Sequence, residues 1–102
     1  MAGTIAVTPD RRWSAAGWLF DWAVEFLAER VADPDLKAEL EEIVAENLGW
    51  LGLAEHGPEA EREMRALLRD QLVGAAEAGL PTTMADRAGA IEVLRELARA
   101  VD

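Results

Sequence analysis

The 102-residue sequence contains no cysteine and no tyrosine, and it has a single histidine and a single lysine. Without cysteine the chain has no disulfide framework, no thiol nucleophile and no zinc–cysteine site. No apolar run approaches the roughly 18 residues of a membrane span, because Asp21 and Glu25 interrupt the best candidate. The first residues lack the basic start and apolar stretch of a secretory signal. We therefore expect a cytoplasmic protein without a membrane segment.

Positive charge is also scarce, since 10 Lys and Arg residues stand against 20 Asp and Glu residues, for a net charge of −10. This balance argues against nucleic acid as a partner, because contacts to phosphate supply most of that affinity. Hydrophobic residues make up 51% of the chain, which is enough to build a core. The length suits one domain. We therefore treat residues 1–102 as a single domain.

Four prolines occur at nearly even intervals along the chain. Each suits a helix boundary, because proline lacks an N–H and fixes φ. The periodicity of apolar residues between them predicts helices, and β-branched residues do not alternate with polar ones over a strand length. The predicted helices lie near 9–31, 34–53, 58–78 and 83–101, after an N-terminal arm over residues 1–8. Short loops make successive helices antiparallel. The sequence thus predicts an all-α, antiparallel four-helix bundle.

The first predicted helix carries more apolar surface than one helix of a small bundle buries. Its acidic stripe consists of Asp21, Glu25 and Glu29, Trp18 projects onto that stripe, and Trp22 lies on its border. One interpretation is that the N-terminal arm or a tilted neighbouring helix covers the two tryptophans. The other is an interface, because tryptophan is enriched in binding hot spots and charge-rimmed apolar patches mark contact sites. These five residues are the predicted partner-binding site.

A second acidic row runs along the second predicted helix. It consists of Asp35, Glu39, Glu42 and Glu46. Like charges at this spacing repel by a few tenths of a kcal/mol per pair. Arginines of the third and fourth predicted helices are candidates to compensate the row, namely Arg62, Arg65, Arg69, Arg95 and Arg99. The alternative is a docking face for a basic partner.

The chain offers few residues for catalysis or for metal binding. His56 is the only histidine and Ser14 the only serine. One histidine does not supply the paired motifs of a di-iron bundle, and the segment from Gly49 to Gly52 lacks the spacing and the lysine of a phosphate-binding loop. We therefore expect no enzymatic activity, no cofactor and no metal site.

A tryptophan-rich first helix, an acidic bundle and an Arg- and Ala-rich last helix together resemble the general character of small bacterial immunity or antitoxin-type proteins. The resemblance involves no diagnostic motif and transfers no residue role. It implies a non-enzymatic protein that binds and inhibits a basic protein partner. Two alternatives stay open, a structural homodimer with the first helix at its interface and a small-molecule binder with a tryptophan-lined pocket.

Overall fold

The computed structural model describes residues 2–101 and shows an α+β fold, in which five α-helices accompany a three-stranded sheet. The predicted all-α four-helix bundle is therefore wrong. The strands are β1 (Ala2–Thr8), β2 (Arg11–Ala16) and β3 (Trp50–Gly52). The helices are α1 (Gly17–Arg30), α2 (Pro34–Ala45), α3 (Pro58–Asp70), α4 (Leu72–Gly79) and α5 (Arg87–Ala100), and a short helical turn covers Leu53–His56.

A β-hairpin replaces the predicted N-terminal arm and the predicted first turns of helix one. Strands β1 and β2 pair antiparallel, and Pro9 and Asp10 connect them. The hydroxyl of Thr8 accepts a hydrogen bond from the backbone N–H of Asp10 at 3.3 Å. Thr-Pro-Asp suits a helix start and a tight turn equally, because proline fixes φ and the threonine hydroxyl binds a nearby N–H in both. Tertiary pairing therefore decides between them. Met1, the first residue of the predicted arm, lies outside the described residues.

The third strand makes β1 the centre of the sheet. β3 pairs parallel with β1, and the strand order is β2-β1-β3. Trp13, Ile5 and Leu51 are register neighbours across the three strands, and all three are buried. The helices pack against this face. The opposite face carries mostly small side chains on β1 and β2, with Trp50 on β3.

The predicted helix boundaries fail where the backbone leaves helical geometry. The second predicted helix ends at Ala45, because Asn47 and Gly49 adopt positive φ angles of 53° and 67° before the chain enters β3. The third is two helices, α3 and α4, separated at Gln71 with φ −125°. The last begins at Arg87 after the left-handed residue Asp86.

Two side chains fasten the hairpin to the helices. The indole N–H of Trp13 donates to the carbonyl oxygen of Val93 on α5 at 2.9 Å. The guanidinium of Arg65 on α3 donates to the carbonyl oxygens of Val7 and Val101. Buried carbonyls need such donors, because an unpaired one costs about 1–3 kcal/mol. These bonds hold β1, β2 and the helices in one arrangement and so fix where α1 presents its outer surface.

Candidate protein-binding surface

One line of side chains runs along the outer side of α1. Trp18, Trp22, Glu25 and Glu29 are spaced by four, three and four residues, which aligns them along a helix. Trp18 is 52% exposed, Glu25 and Glu29 are exposed, and Trp22 is half-buried. Asp21, also half-buried, lies beside this line. The five residues of the predicted partner-binding site therefore lie on one helix, on the side that the core leaves uncovered.

Three of these residues meet in a hollow between α1 and α4. Trp22, Glu25 and Glu29 line it, and its volume is about 220 Å³. The other lining residues are Phe26, Arg30, Ala75 and Gly79. The Trp22 ring stacks on Phe26 with centroids 6.2 Å apart and planes inclined by 14°. Gly79 faces the edge of the Trp22 ring, so the small residues of α4 leave the indole accessible.

Of the three charged side chains around this hollow, the arginine has contacts within the chain and the two glutamates have no ion-pair partner among residues 2–101. The Arg30 guanidinium lies 4.2 Å from the centre of the Phe26 ring and donates to the Phe26 carbonyl oxygen at 3.1 Å. Glu25 and Glu29, in contrast, have no ion-pair partner among residues 2–101. An aromatic ring beside two unpaired carboxylates is a favourable environment for a cation, through cation–π attraction and charge-assisted hydrogen bonds. The hollow is therefore suited to a lysine or arginine side chain.

Trp18 belongs to a different depression. It lines a groove of about 380 Å³ between the end of β2, the start of α1 and the first half of α5. Neither an N-terminal arm nor a neighbouring helix covers its ring, because residues 2–8 form the central strand. Asp21 is not among the residues that line this groove or the Trp22 hollow. The two tryptophans therefore lie along the same side of α1 but in different surface depressions.

Replacing Trp18 by alanine is expected to leave the fold intact. Because half of the side chain is exposed, we expect the free energy of unfolding to fall by about 1 kcal/mol or less. Denaturant titration followed by far-UV circular dichroism measures this change. A loss of several kcal/mol would show instead that Trp18 is part of the core.

The second acidic row is exposed along α2, and one of its members has a partner. Asp35, Glu39, Glu42 and Glu46 are all exposed. Glu39 lies 2.7 Å from the Nδ1 atom of His56, an exposed contact that spans from α2 to the helical turn after β3. Surface pairs of this kind stabilise a fold by only about 0–1 kcal/mol.

Four of the five arginines that the sequence suggested as partners for this row contact other carboxylates; the exception is Arg62. Arg65 pairs with Glu61, and both Arg95 and Arg99 reach Glu92. Arg69 donates to both oxygens of Asp70, and this hydrogen bonding lowers the pKa of the Asp70 carboxyl. The described contacts of the row thus involve His56 rather than these arginines.

Sequence reasoning missed a third surface, on the outer face of the sheet. The Arg12 guanidinium lies 5.3 Å from the centre of the Trp50 ring, and the Trp50 indole N–H donates to Glu55 at 3.1 Å. A hollow of about 300 Å³ adjoins these three residues. Here the chain itself supplies both a cation and a carboxylate to the aromatic ring. In the Trp22 hollow the chain's own cation, Arg30, lies over Phe26 instead, so the Trp22 ring is the more open of the two rings to an external cation.

Among residues 2–101, no three metal-ligating side chains are grouped so that they could hold an ion. No helix in this part of the chain is both long and apolar enough to cross a membrane. No protein family, curated protein or solved structure matches the chain. The chemistry of its own surfaces is therefore the basis on which its function is inferred.

Proposed function

We propose that this protein is a non-enzymatic binding module for a basic protein partner, in the manner of an immunity or antitoxin-type inhibitor. The hollow beside Trp22 receives a lysine or arginine side chain of that partner, and Trp18 packs against its surface. The observation that carries the proposal is the pair of exposed carboxylates, Glu25 and Glu29, that flank an accessible indole without ion-pair partners in the described chain. The net charge of −10 would further steer a basic protein to this surface.

Charge favours a basic partner over a second copy of the chain on α1. A twofold contact between identical surfaces is isologous, so the same patch meets itself. Glu25 and Glu29 of both copies, four carboxylates in all, would then lie within one interface. Like charges placed together in an interface cost several kcal/mol. A partner that carries lysine and arginine avoids this repulsion.

Size favours a protein partner over a small molecule at Trp22. Ligand pockets usually measure about 300–1,000 Å³ and enclose most of the ligand. The hollow beside Trp22 measures about 220 Å³ and lies on the surface of two helices. It is large enough for the end of one side chain. We further propose that the protein acts in the cytoplasm, and the absence of cysteine supports this location.

A pair of double variants tests the proposal. In E25Q/E29Q the two charges beside Trp22 are removed while the side-chain size is kept. E42Q/E46Q is the matched control, because it removes the same charge at the same spacing from α2. The immobilised wild-type protein and both variants are used to capture proteins from an extract of the source cell. We expect a basic protein to bind the wild type and E42Q/E46Q, and to bind E25Q/E29Q at least about tenfold more weakly.

Two outcomes contradict the proposal. Equal capture by all three proteins would show that the Trp22 hollow is not the binding site. Loss of capture only with E42Q/E46Q would transfer the interface to the second acidic row on α2. Because all four glutamates are exposed, we expect both variants to unfold at the wild-type denaturant concentration, which confirms that any change in capture reflects binding.

A further inference from the structure

Within residues 2–101 the sheet has two edge strands, β2 and β3, and β2 is the longer of the two. β2 is the first strand in the order β2-β1-β3. The backbone N–H of Thr4 on β1 donates to the carbonyl oxygen of Gly49, which directly precedes β3. The backbone N–H and C=O groups of successive residues point to opposite sides of a strand. Those of Gly3 and Ile5 therefore point toward β2, and those of their register partners, Ala15 and Trp13, point toward β1. Arg12, Ser14 and Ala16 therefore direct their backbone N–H and C=O groups outward.

This free edge borders the groove that contains Trp18. Ser14, Ala15 and Ala16 form one wall of the groove, and residues 85–93 form the other. Ala90 of α5 lies opposite the strand, and its small side chain leaves room for a side chain that points down from an added strand, whereas the Asp86 carboxylate occupies the space beside Gly89. Exposed edge groups are a template for pairing with another extended chain.

We propose that the edge of β2 binds an extended segment of a partner protein, which adds a fourth strand to the sheet in the groove between β2 and α5. The inference rests on the proposed function, since it describes how the basic partner is held. The backbone of the segment pairs with Arg12, Ser14 and Ala16, and an apolar side chain enters the groove beside Ala90.

Charge identifies a basic residue in the same segment. Asp86 lies at the groove, is exposed, and has no ion-pair partner among residues 2–101. Its carboxylate lies beside Gly89 and does not cap the N-terminus of α5. No lysine or arginine lines the groove. A basic side chain two positions from the apolar one, on the same face of the added strand, therefore completes the recognition.

A second copy of this chain fits the groove less well than a single segment. The groove has two walls, β2 with the start of α1 on one side and residues 85–93 on the other. A partner's β2 would arrive with its own β1 and α5 attached, whereas a lone extended segment brings only its backbone and side chains. The geometry therefore favours one strand of a foreign chain.

Ala16→Pro tests the proposal with little effect on the fold. Ala16 has φ −53°, close to the angle that proline requires, and it lies at the start of α1 where proline is tolerated. The substitution removes one outward N–H and places the proline ring in the path of an added strand. Ala16→Ser is the matched control, because it keeps the N–H. Both variants are expected to fold like the wild type by circular dichroism.

The probe is a displayed library of random linear peptides, selected on the wild-type protein and counter-selected on A16P. We expect enriched peptides to carry an apolar and a basic residue two positions apart, so that both face the groove. A synthetic copy should bind A16S like the wild type and bind A16P at least about tenfold more weakly. In the wild type, the peptide should slow hydrogen exchange of the Ser14 and Ala16 amides, a measurement that needs no variant.

The outcomes separate this inference from the proposed function. Peptides that bind A16P as well as the wild type, or that leave the Ser14 and Ala16 amides unprotected, overturn the strand model even if capture through Glu25 and Glu29 succeeds. A dimer that A16P dissociates also overturns it, because a second copy then occupies the edge. In a further outcome, the peptide protects the Ser14 and Ala16 amides while E25Q/E29Q captures the partner as well as the wild type does. That combination supports strand addition in the groove and contradicts binding at the Trp22 hollow.

Discussion

Replacing Trp13 by alanine is expected to remove a large part of the stability of the fold. The side chain is buried between the hairpin and α5, and its indole N–H donates to the Val93 carbonyl oxygen. Removing it leaves a large cavity and takes away the hydrogen bond to Val93, for an expected loss of about 3–5 kcal/mol in the free energy of unfolding. A domain of this kind has only about 5–15 kcal/mol in total. Denaturant titration measures the loss.

Two controls divide this effect into its parts. Trp13→Phe keeps an aromatic ring but loses the N–H, so we expect a loss of about 1–2 kcal/mol. Trp18→Ala removes the same type of side chain from an exposed position on the neighbouring helix and is expected to have the small effect described above. Equal losses for the variants at Trp13 and Trp18 would contradict the placement of Trp13 in the core.

Replacing Gly3 by alanine is expected to cost about 2–4 kcal/mol in the free energy of unfolding. A Cβ atom at this position would overlap Cβ and Cγ of Phe20, which is 1% exposed. These atoms lie next to the backbone of α1, so no rotation of the phenyl ring relieves the overlap. Overpacking of a core usually costs about 1–3 kcal/mol and sometimes more. The strand and the helix would have to separate.

Gly74→Ala is the matched control for this change. Gly74 is an exposed residue inside α4, and a Cβ atom there meets nothing within 4 Å. Alanine has the higher helix propensity, so we expect a gain of up to about 1 kcal/mol in stability. Both variants are compared by thermal and denaturant unfolding. If Gly3→Ala were as stable as Gly74→Ala, β1 would not lie against α1 as described.

The sequence predicted the helical part of the fold better than the sheet. On α1 the residues opposite the acidic stripe, Phe20, Ala23 and Leu27, are buried, as helical spacing requires. The proline signals also located the starts of α2 and α3, at Pro34 and Pro58. These features depend on local spacing and on backbone preferences that neighbouring residues set.

The sheet depends on contacts that the local pattern does not specify. In β1, Ile5 and Val7 are buried between half-buried Thr4, Ala6 and Thr8, so an alternating pattern exists. It was missed because alanine and glycine are poor strand formers and make the pattern weak. β3 has only three residues and pairs with a strand more than forty positions earlier. No local signal reveals such a pairing.

The same limit applies to the candidate site. The spacing along α1 placed Trp22, Glu25 and Glu29 together on one helix face, because that relation is local. The other wall of the hollow, Ala75 and Gly79, depends on the helix break at Gln71, which the sequence did not predict. The groove beside Trp18 exists because residues 11–16 form the strand β2. An all-helical interpretation contains no strand at this position and therefore did not predict the free edge of β2.

The four tryptophans provide the most direct test, because each reports a different part of the molecule. Trp13 lies in the core, Trp18 in the groove beside β2, Trp22 in the acidic hollow and Trp50 on the outer face of the sheet. The measurement is a nuclear magnetic resonance titration of the ¹⁵N-labelled protein with the captured basic partner, read at the four indole N–H signals. We expect the Trp22 and Trp18 signals to shift, and those of Trp13 and Trp50 to stay. A shift confined to Trp50, with Trp22 unchanged, would place the partner on the outer face of the sheet and contradict the proposal.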